Sequence, residues 1–517
     1  KKVLLVLFAM LFACSVVFAG GSNEAATTTK SSIKDTLVIG VAQQINELNP
    51  MMQNDQINNN CFALTHELVL KVDSNNGYAL MPGLAEEWEW VDDTHLVLKL
   101  NKNVHFSNGT PLTAEDVVFT YNRARSSDPT VSKISGTLSL ITDVTALDDY
   151  TVQISTSTFT NELIYSFCAY PLSIQSKKAW EDPSIKEPWL IGTGPYKFKE
   201  WKEGQYVTFE KVDNYWNEAN DPATAKEITF KFLLEASQRA IALQNGEIDV
   251  CIDPPTTDLK FLADDSKLTV YTQAGTRLFY MGFNVQKAPF DNVKLRQAVS
   301  CAIDKESIID IVLDGRGKWQ TSVLNRGAWS FLDNDQVQGG YTYDVARAKQ
   351  LLAEAGYKPG ELTVDLYAAT DDPYKTIAPI IQANLKEIGI NVTIKSFDQA
   401  TLKVECANGH QQMFLWRWNI GAKVDETYRE IFYTDFPTNY HQLKDSYVDE
   451  MADRVLTDKD PAVRLQDSYD LQNYMVEIVP QVPLYVPDLV IAFNKGLKGA
   501  ILYGGGNHNW SRAYIEN

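Results

Sequence analysis

Six consecutive residues, Phe414-Leu415-Trp416-Arg417-Trp418-Asn419, hold side chains with an obvious capacity for recognition. In an extended strand alternate side chains face opposite ways, so Trp416 and Trp418 share one face and Arg417 takes the other. Two indoles on one face either complete a core or form a flat apolar platform on which a ligand stacks. The run ends in a polar, glycine-containing loop, Asn419 to Glu426, and loops at strand ends build clefts in α/β sheets. Such a platform can hold a molecule but offers nothing to break a bond with.

Bond-breaking machinery is missing elsewhere too. The chain has no GxSxG, no HExxH and no Walker-type loop. His66-Glu67 lacks the second histidine that ligation from one helical face requires, and the carboxylates are too many for one pair to stand out. Ile191-Gly192-Thr193-Gly194-Pro195-Tyr196 resembles a phosphate loop only superficially. Pro195 and the strand-like KFKEW after it leave no helix N-terminus for a phosphate, so the glycines read as a tight turn. His410 and His441 read as surface residues rather than ligands, and no metal or cofactor is expected. Of six cysteines, Cys14 falls in the leader, leaving Cys61, Cys168, Cys251, Cys301 and Cys406. Five is odd, no CxxC occurs, and at least one thiol must be free. With Lys+Arg 47 against Asp+Glu 66, the net charge of −19 repels phosphate backbones and argues against nucleic acid as a partner.

The elements that must position these residues exceed one core, since 517 residues predict two or three domains. Lys1 and Lys2 precede the apolar run Val3 to Ala13, the layout of a signal peptide over 1–19. Cleavage after Val17-Phe18-Ala19 competes with a lipobox reading of Leu11-Phe12-Ala13-Cys14, which would make Cys14 a lipidated N-terminus. Beyond Ala19 no run approaches the roughly 20 apolar residues a bilayer span needs. Residues 20–35, small and polar at first, read as a flexible tether. Thr36 to Val41 is a continuous aliphatic strand suited to mid-sheet. Thr113 with Asp116 makes a capping box, and Asp291, Asp304, Asp344 and Asp460 are placed to cap later helices. Leu278 to Asn284 is a buried strand, and from Asp344 onward strands and helices alternate with glycine stops. That pattern predicts a largely parallel sheet covered by helices. Val482 to Phe493 is a further strand, interrupted by prolines.

The wording of several stretches is more specific than their physics. FYMGFN followed by APFDNVKLRQAVSCAIDKESII, PGLAEEW followed by VHFSNGTPLTAEDVVFTYNR, and GTGPYKFKEW together resemble the family 5 extracytoplasmic solute-binding proteins of ABC transporters. The resemblance covers nearly the whole chain after the leader. It implies an α/β fold of the type II periplasmic-binding-protein kind: two main lobes and a small extra lobe, joined by two crossing strands. Lobe I would comprise 36–72, 191–275 and 487–517, lobe II 73–190, and lobe III 276–486. It also implies a monomer without enzymatic activity or cofactor, working at the outer face of the cytoplasmic membrane or in the periplasm. Its partners would be a small solute and the membrane subunits of an ABC permease, with membrane contact only through a lipid anchor.

For the site, the resemblance implies that the loop ending in Leu48-Asn49-Pro50, with Asn46 and Glu47, lines the ligand cleft. Tyr280 and Asn284 on the crossing segment, and Trp416, Arg417 and Trp418 on the tryptophan strand, join it. Peptide binders of the family carry an aspartate shortly after the tryptophan to pair with the peptide's ammonium. Here the direct offset falls on Ala422, with Asp425 three residues on. A buried ammonium without a carboxylate is costly, so Asp425 is the expected partner if a peptide is bound. The first expectation is a short peptide. An oligosaccharide stacked on the indoles is the alternative, and a secreted hydrolase a remote third.

Overall fold

The aromatic and aliphatic run after Arg277 forms the strand Arg277–Phe283, and every residue from Leu278 onward in it is buried. A strand buried on both faces belongs inside a sheet, and this one pairs antiparallel with Met413–Asn419 on one side and Gln481–Asn494 on the other. The computed structural model describes residues 32–126, 138–419, 421 and 423–516. The leader, Cys14, both cleavage points, residues 20–31 of the tether and Ala422 lie outside the described residues.

The main sheet runs in space through Asn391–Phe397, Thr363–Ala369, Met413–Asn419, Arg277–Phe283, Gln481–Asn494, Val250–Ile252, Thr36–Val41, Glu227–Phe232, Tyr206–Lys211 and Tyr196–Lys202. It is mixed rather than largely parallel. Thr363–Ala369 pairs parallel with both its neighbours, and Thr36–Val41 does the same. The strands that cross between the two halves run antiparallel to theirs, because the chain passes over and returns.

Gln481–Asn494 joins the halves. Its first residues pair with Arg277–Phe283 and its last with Leu268–Ala274 and Val250–Ile252. Pro483 and Pro487 do not break it, and it continues for 14 residues. The second passage is the chain from Leu268–Ala274 through Gly275 and Thr276 into Arg277–Phe283. A Cβ on Gly275 would come within 2.3 Å of the Pro487 carbonyl, so only glycine lets the two passages lie this close.

Three large apolar cores accompany this sheet. One surrounds the Arg277–Phe283 half, from Leu278 to Val486. One lies under Thr36–Val41 and its neighbours and takes in Trp510, Ala513 and Ile515 from the C-terminus. The third belongs to a separate antiparallel sheet, Ala85–Trp90, His95–Leu100, Thr151–Thr156 and Ile141–Asp148, with helix Ala114–Ala124 against it. That helix has the expected reciprocal cap, Asp116 Oδ2 accepting the Thr113 N–H at 2.9 Å.

Local expectations hold at Asp304, Asp344 and Asp460, which cap their helices through the N–H groups of Ser307, Arg347 and Ala462. The helix Val293–Ala302 is instead capped by Asn292, one residue after Asp291. Ordered pairing begins before Thr36: Ile33 bridges to Glu516, and Lys34 pairs with Asp249 at 2.8 Å. Gly192 and Gly194 serve close approach rather than a turn, since added Cβ atoms would meet the Thr65 and Leu64 carbonyls at 2.0 and 2.5 Å. His441 is buried rather than on the surface, its ring stacked on Tyr280, and burial lowers it to about 3. Cys61, Cys168, Cys251, Cys301 and Cys406 are all free thiols. No helix among the described residues is long and apolar enough to cross a membrane.

Candidate functional site

Helix Gln56–Thr65 is capped by Asp55, which accepts the Asn58 N–H at 3.0 Å, and carries three consecutive buried asparagines. Buried amides need partners. Asn60 finds them in the C-terminal loop: Oδ1 accepts from the His508 N–H at 3.0 Å and from Trp510 Nε1–H at 3.1 Å, and Nδ2 donates to the Gly506 carbonyl at 3.0 Å. Asn58 turns the other way and donates to the Glu47 carbonyl. Asn59, whose Oδ1 has no partner, lines a cavity of about 530 Å³.

Four parts of the chain supply most of the polar side chains that wall this cavity. After the asparagine helix come His66 and Glu67. The Glu67 carboxylate accepts from Tyr215 Oη at 3.0 Å, Trp216 Nε1 at 2.7 Å and Lys71 Nζ at 3.2 Å. The small-sheet region contributes Tyr165, Ser166 and Cys168, and the C-terminal loop contributes Tyr503 and His508. The fourth wall is Asn419, at the end of the tryptophan strand, with Lys423, Glu426 and Glu430. Besides Asn59 Oδ1, the atoms His66 Nε2, Ser166 Oγ and His508 Nε2 are buried without a partner among the described residues. Each such group costs about 1–3 kcal/mol while unpaired. Burial lowers both histidines to about 4, so both are neutral rings.

Helix Val424–Phe432 supplies the charge. Glu426 and Glu430, one turn apart, face the cavity. Glu426 is paired with Lys423 at 2.9 Å. Glu430 makes no ion pair or side-chain hydrogen bond among the described residues, and burial followed by its neighbour Glu426 pushes its carboxyl up to about 7. Asp221, also on the wall, is held by Arg512, and Lys71 by Glu67. The charge left over in the cavity is therefore negative and centred on Glu430.

None of the eight residues expected from sequence lines this cavity. Asn46 is exposed, and Glu47 Oε1 accepts the Leu48 and Asn49 N–H groups at 2.8 Å each, closing its own turn. Tyr280 is core, with its ring between His441 and Phe414. Asn284 clamps two loops, donating to the Gly409 carbonyl at 2.9 Å and accepting the Gln286 N–H at 3.1 Å. Trp416 and Trp418 are half-buried on the expected shared face, but that face packs on the large core, with Trp416 edge-on to Tyr440 at 5.3 Å. Arg417 takes the opposite face, as alternation requires. Asp425 is 1% exposed and already spent: Trp329 Nε1–H donates to it at 2.9 Å and an Arg464 NH2 group at 2.8 Å. Burial raises its carboxyl to about 6, with Arg464 the first influence pulling it down. It cannot receive an ammonium without abandoning Arg464.

Motif reading passes over Asn59, Glu430 and His508, and weighs His66 only as half of a metal motif. Glu426 and Glu430 at i, i+4 are the only sequence-level signal, and an acidic chain has many such pairs.

A long mixed sheet crossed twice, a small appended sheet and a polar cavity between them define a two-lobed solute-capturing fold of the type II periplasmic-binding-protein kind. Comparison with known proteins gives the family. The model for the bacterial extracellular solute-binding proteins, family 5, matches residues 79–440, and the chain belongs to that family, whose members serve ABC importers. It is 29% identical over 442 residues to the heme-binding protein A of Haemophilus influenzae, covering 79% of each chain. It is 28% identical over 483 residues to the dipeptide-binding protein of Escherichia coli, covering 84% of this chain and 86% of the relative. The structure of HbpA2 from Haemophilus parasuis superposes with a TM-score of 0.85 at 25% identity, covering 93% of this chain and 100% of that one.

Proposed function

We propose that the protein captures a short peptide in the cavity and presents it to the membrane subunits of an ABC permease. In this reading the chain divides into lobes I, II and III at the boundaries given above, and the cavity is where they meet. The observation that carries it is the wall itself: Glu430, a carboxylate that pairs with no side chain among the described residues, in a lining of asparagine, histidine, serine and tyrosine side chains. A peptide brings a cationic end and a row of amide donors and acceptors, matching both features. At about 530 Å³ the cavity is of ligand size. Ligand contacts reaching more than one lobe favour the closed arrangement, the form a permease would recognise. An oligosaccharide loses its main support, because neither Trp416 nor Trp418 faces the cavity.

The test is to incubate the purified chain with peptide and glycan pools, identify what is retained by mass spectrometry, and follow melting. Ligand at one hundred times its Kd stabilises by about 2.7 kcal/mol, enough to move the transition. Retention of peptides with an upward shift is the expected result. Stabilisation by glycans alone overturns the reading.

A further inference from the structure

Helix Val424–Phe432 reaches the cavity without a cap of its own. Lys423 stands at its N-cap, and a lysine side chain has no acceptor to offer the first N–H groups. Asp425 and Glu426 in the first turn are turned to other partners, Asp425 to Arg464 and Trp329, and Glu426 to Lys423. The acceptor comes instead from the small-sheet region, 263 residues earlier in the chain: Glu162 Oε1 takes the Asp425 N–H at 2.8 Å. Asp425 is the second helical residue, where an N-cap side chain ordinarily bonds. Glu162 is therefore an N-cap supplied from another part of the molecule.

The residue before it does the converse. Asn161 gives its N–H to the Leu456 carbonyl at 2.9 Å and its Nδ2 to the Asp458 carbonyl at 2.6 Å. Leu456 lies in the last turn of helix Ser446–Thr457, whose final carbonyls have no intrahelical donor, and Asp458 is its C-cap. That helix packs beside Val424–Phe432. Two adjacent residues thus meet two helix ends with matching polarity, N–H donors at the negative end and a carboxyl oxygen at the positive end. Phe159, in the same segment, lies under Lys459 Nζ at 4.9 Å, and Lys459 also pairs with Asp93 of the small-sheet region.

From Glu162 the chain runs directly into Leu163–Ser166 and the cavity-lining Tyr165, Ser166 and Cys168, while the capped helix carries Glu426 and Glu430 into the same cavity. One hydrogen bond fastens two of the cavity's walls to each other. A helix of nine residues is marginal alone, so what holds its first turn decides where Glu430 stands. Burial first and the Asp425 carboxylate second raise Glu162 well above the ordinary carboxylate range, so its task is that of an acceptor rather than of a charge.

We propose that Asn161 and Glu162 form a clasp through which the small-sheet region holds the Glu430 helix in place for the bound solute, with Glu162 as the positioning residue. This rests on the peptide reading for what the helix meets, and not for the clasp itself.

Hydrogen exchange on the full chain, read by mass spectrometry over residues 157–163 and 424–429, follows both sides of the clasp without any ligand. Retention from a pool of short peptides, measured over a range of protein concentrations, follows its consequence for binding. Glu162→Ala should speed exchange in both segments about 10- to 100-fold, as loss of a buried acceptor does, and weaken peptide retention about 10-fold. Glu162→Gln keeps an acceptor oxygen and should restore both to within about threefold of wild type. Lys459→Ala loosens the same segment from its exposed side and serves if Glu162→Ala does not fold; it should speed exchange in both segments together, by no more than about fivefold. Acceleration confined to 157–163 in either variant, a glutamine variant no better than alanine, or peptide retention indifferent to every substitution overturns the clasp and leaves the peptide reading intact. Exchange that responds as expected in a chain that retains no peptide overturns the peptide reading and upholds the clasp.

Discussion

Helix Val424–Phe432 presents two carboxylates to two different worlds. Asp425 looks inward, where Arg464 and Trp329 hold it and the Glu162 carboxylate of the small-sheet region accepts its N–H at 2.8 Å. Glu430 looks into the cavity and pairs with no side chain among the described residues. Burial raises both, to about 6 and about 7. A buried charge that has found its partner is architecture; one kept waiting is available to a guest.

The comparison is broken most forcefully at Asp425. Asp425→Ala leaves Arg464 and the Trp329 indole N–H without their acceptor, and breaking a buried pair in this way costs about 3–5 kcal/mol. Urea denaturation should show that loss while residual folded protein still binds peptide. A variant of wild-type stability that no longer binds would reverse the assignment of the two carboxylates.

Glu430→Gln should do the opposite. Stability should hold or rise, because a half-buried carboxylate without an ion-pair partner among the described residues is removed, while peptides with a free ammonium bind about 10- to 100-fold more weakly. N-acetylated peptides should not notice the change. Calorimetry on both peptide forms separates the outcomes.

The pH dependence of wild-type binding sharpens the same point. With Glu430 near 7 in the free protein, a cationic ligand favours its ionised form, so affinity should be full above pH 7 and decline as pH falls below it. Glu430→Gln should flatten that slope. The smallest effect belongs to Lys423→Ala. Its pair with Glu426 is partly open to water, and such pairs contribute about 0–1 kcal/mol, so melting should barely move.

Much of the fold was legible because it is written in local patterns. Leu278 to Phe283 reads as a buried strand, Asp304 and Asp344 read as caps, and the family wording orders the pieces. The mixed direction of the sheet was not legible, because pairing is decided between segments hundreds of residues apart, as when Val250 meets Phe493. The site was less legible than the fold. Alternation placed Trp416 and Trp418 on one face correctly, but which body of protein covers that face is a tertiary matter, and Tyr440 covers part of it. Asp425 looked like a ligand group because nothing in the sequence ties it to Arg464, 39 residues away. Glu430 looked like one more surface acid for the same reason.

The strand Gln481–Asn494 has one more consequence, for the order in which the molecule comes into being. It runs for 14 residues, about 45 Å at the usual rise, and supplies a neighbour to both halves of the sheet. Val250–Ile252 and Arg277–Phe283, both made early, must each wait for it, and Ile33 must wait for Glu516. Neither half can finish its hydrogen bonding until this strand has left the ribosome. Its arrival completes both halves at once.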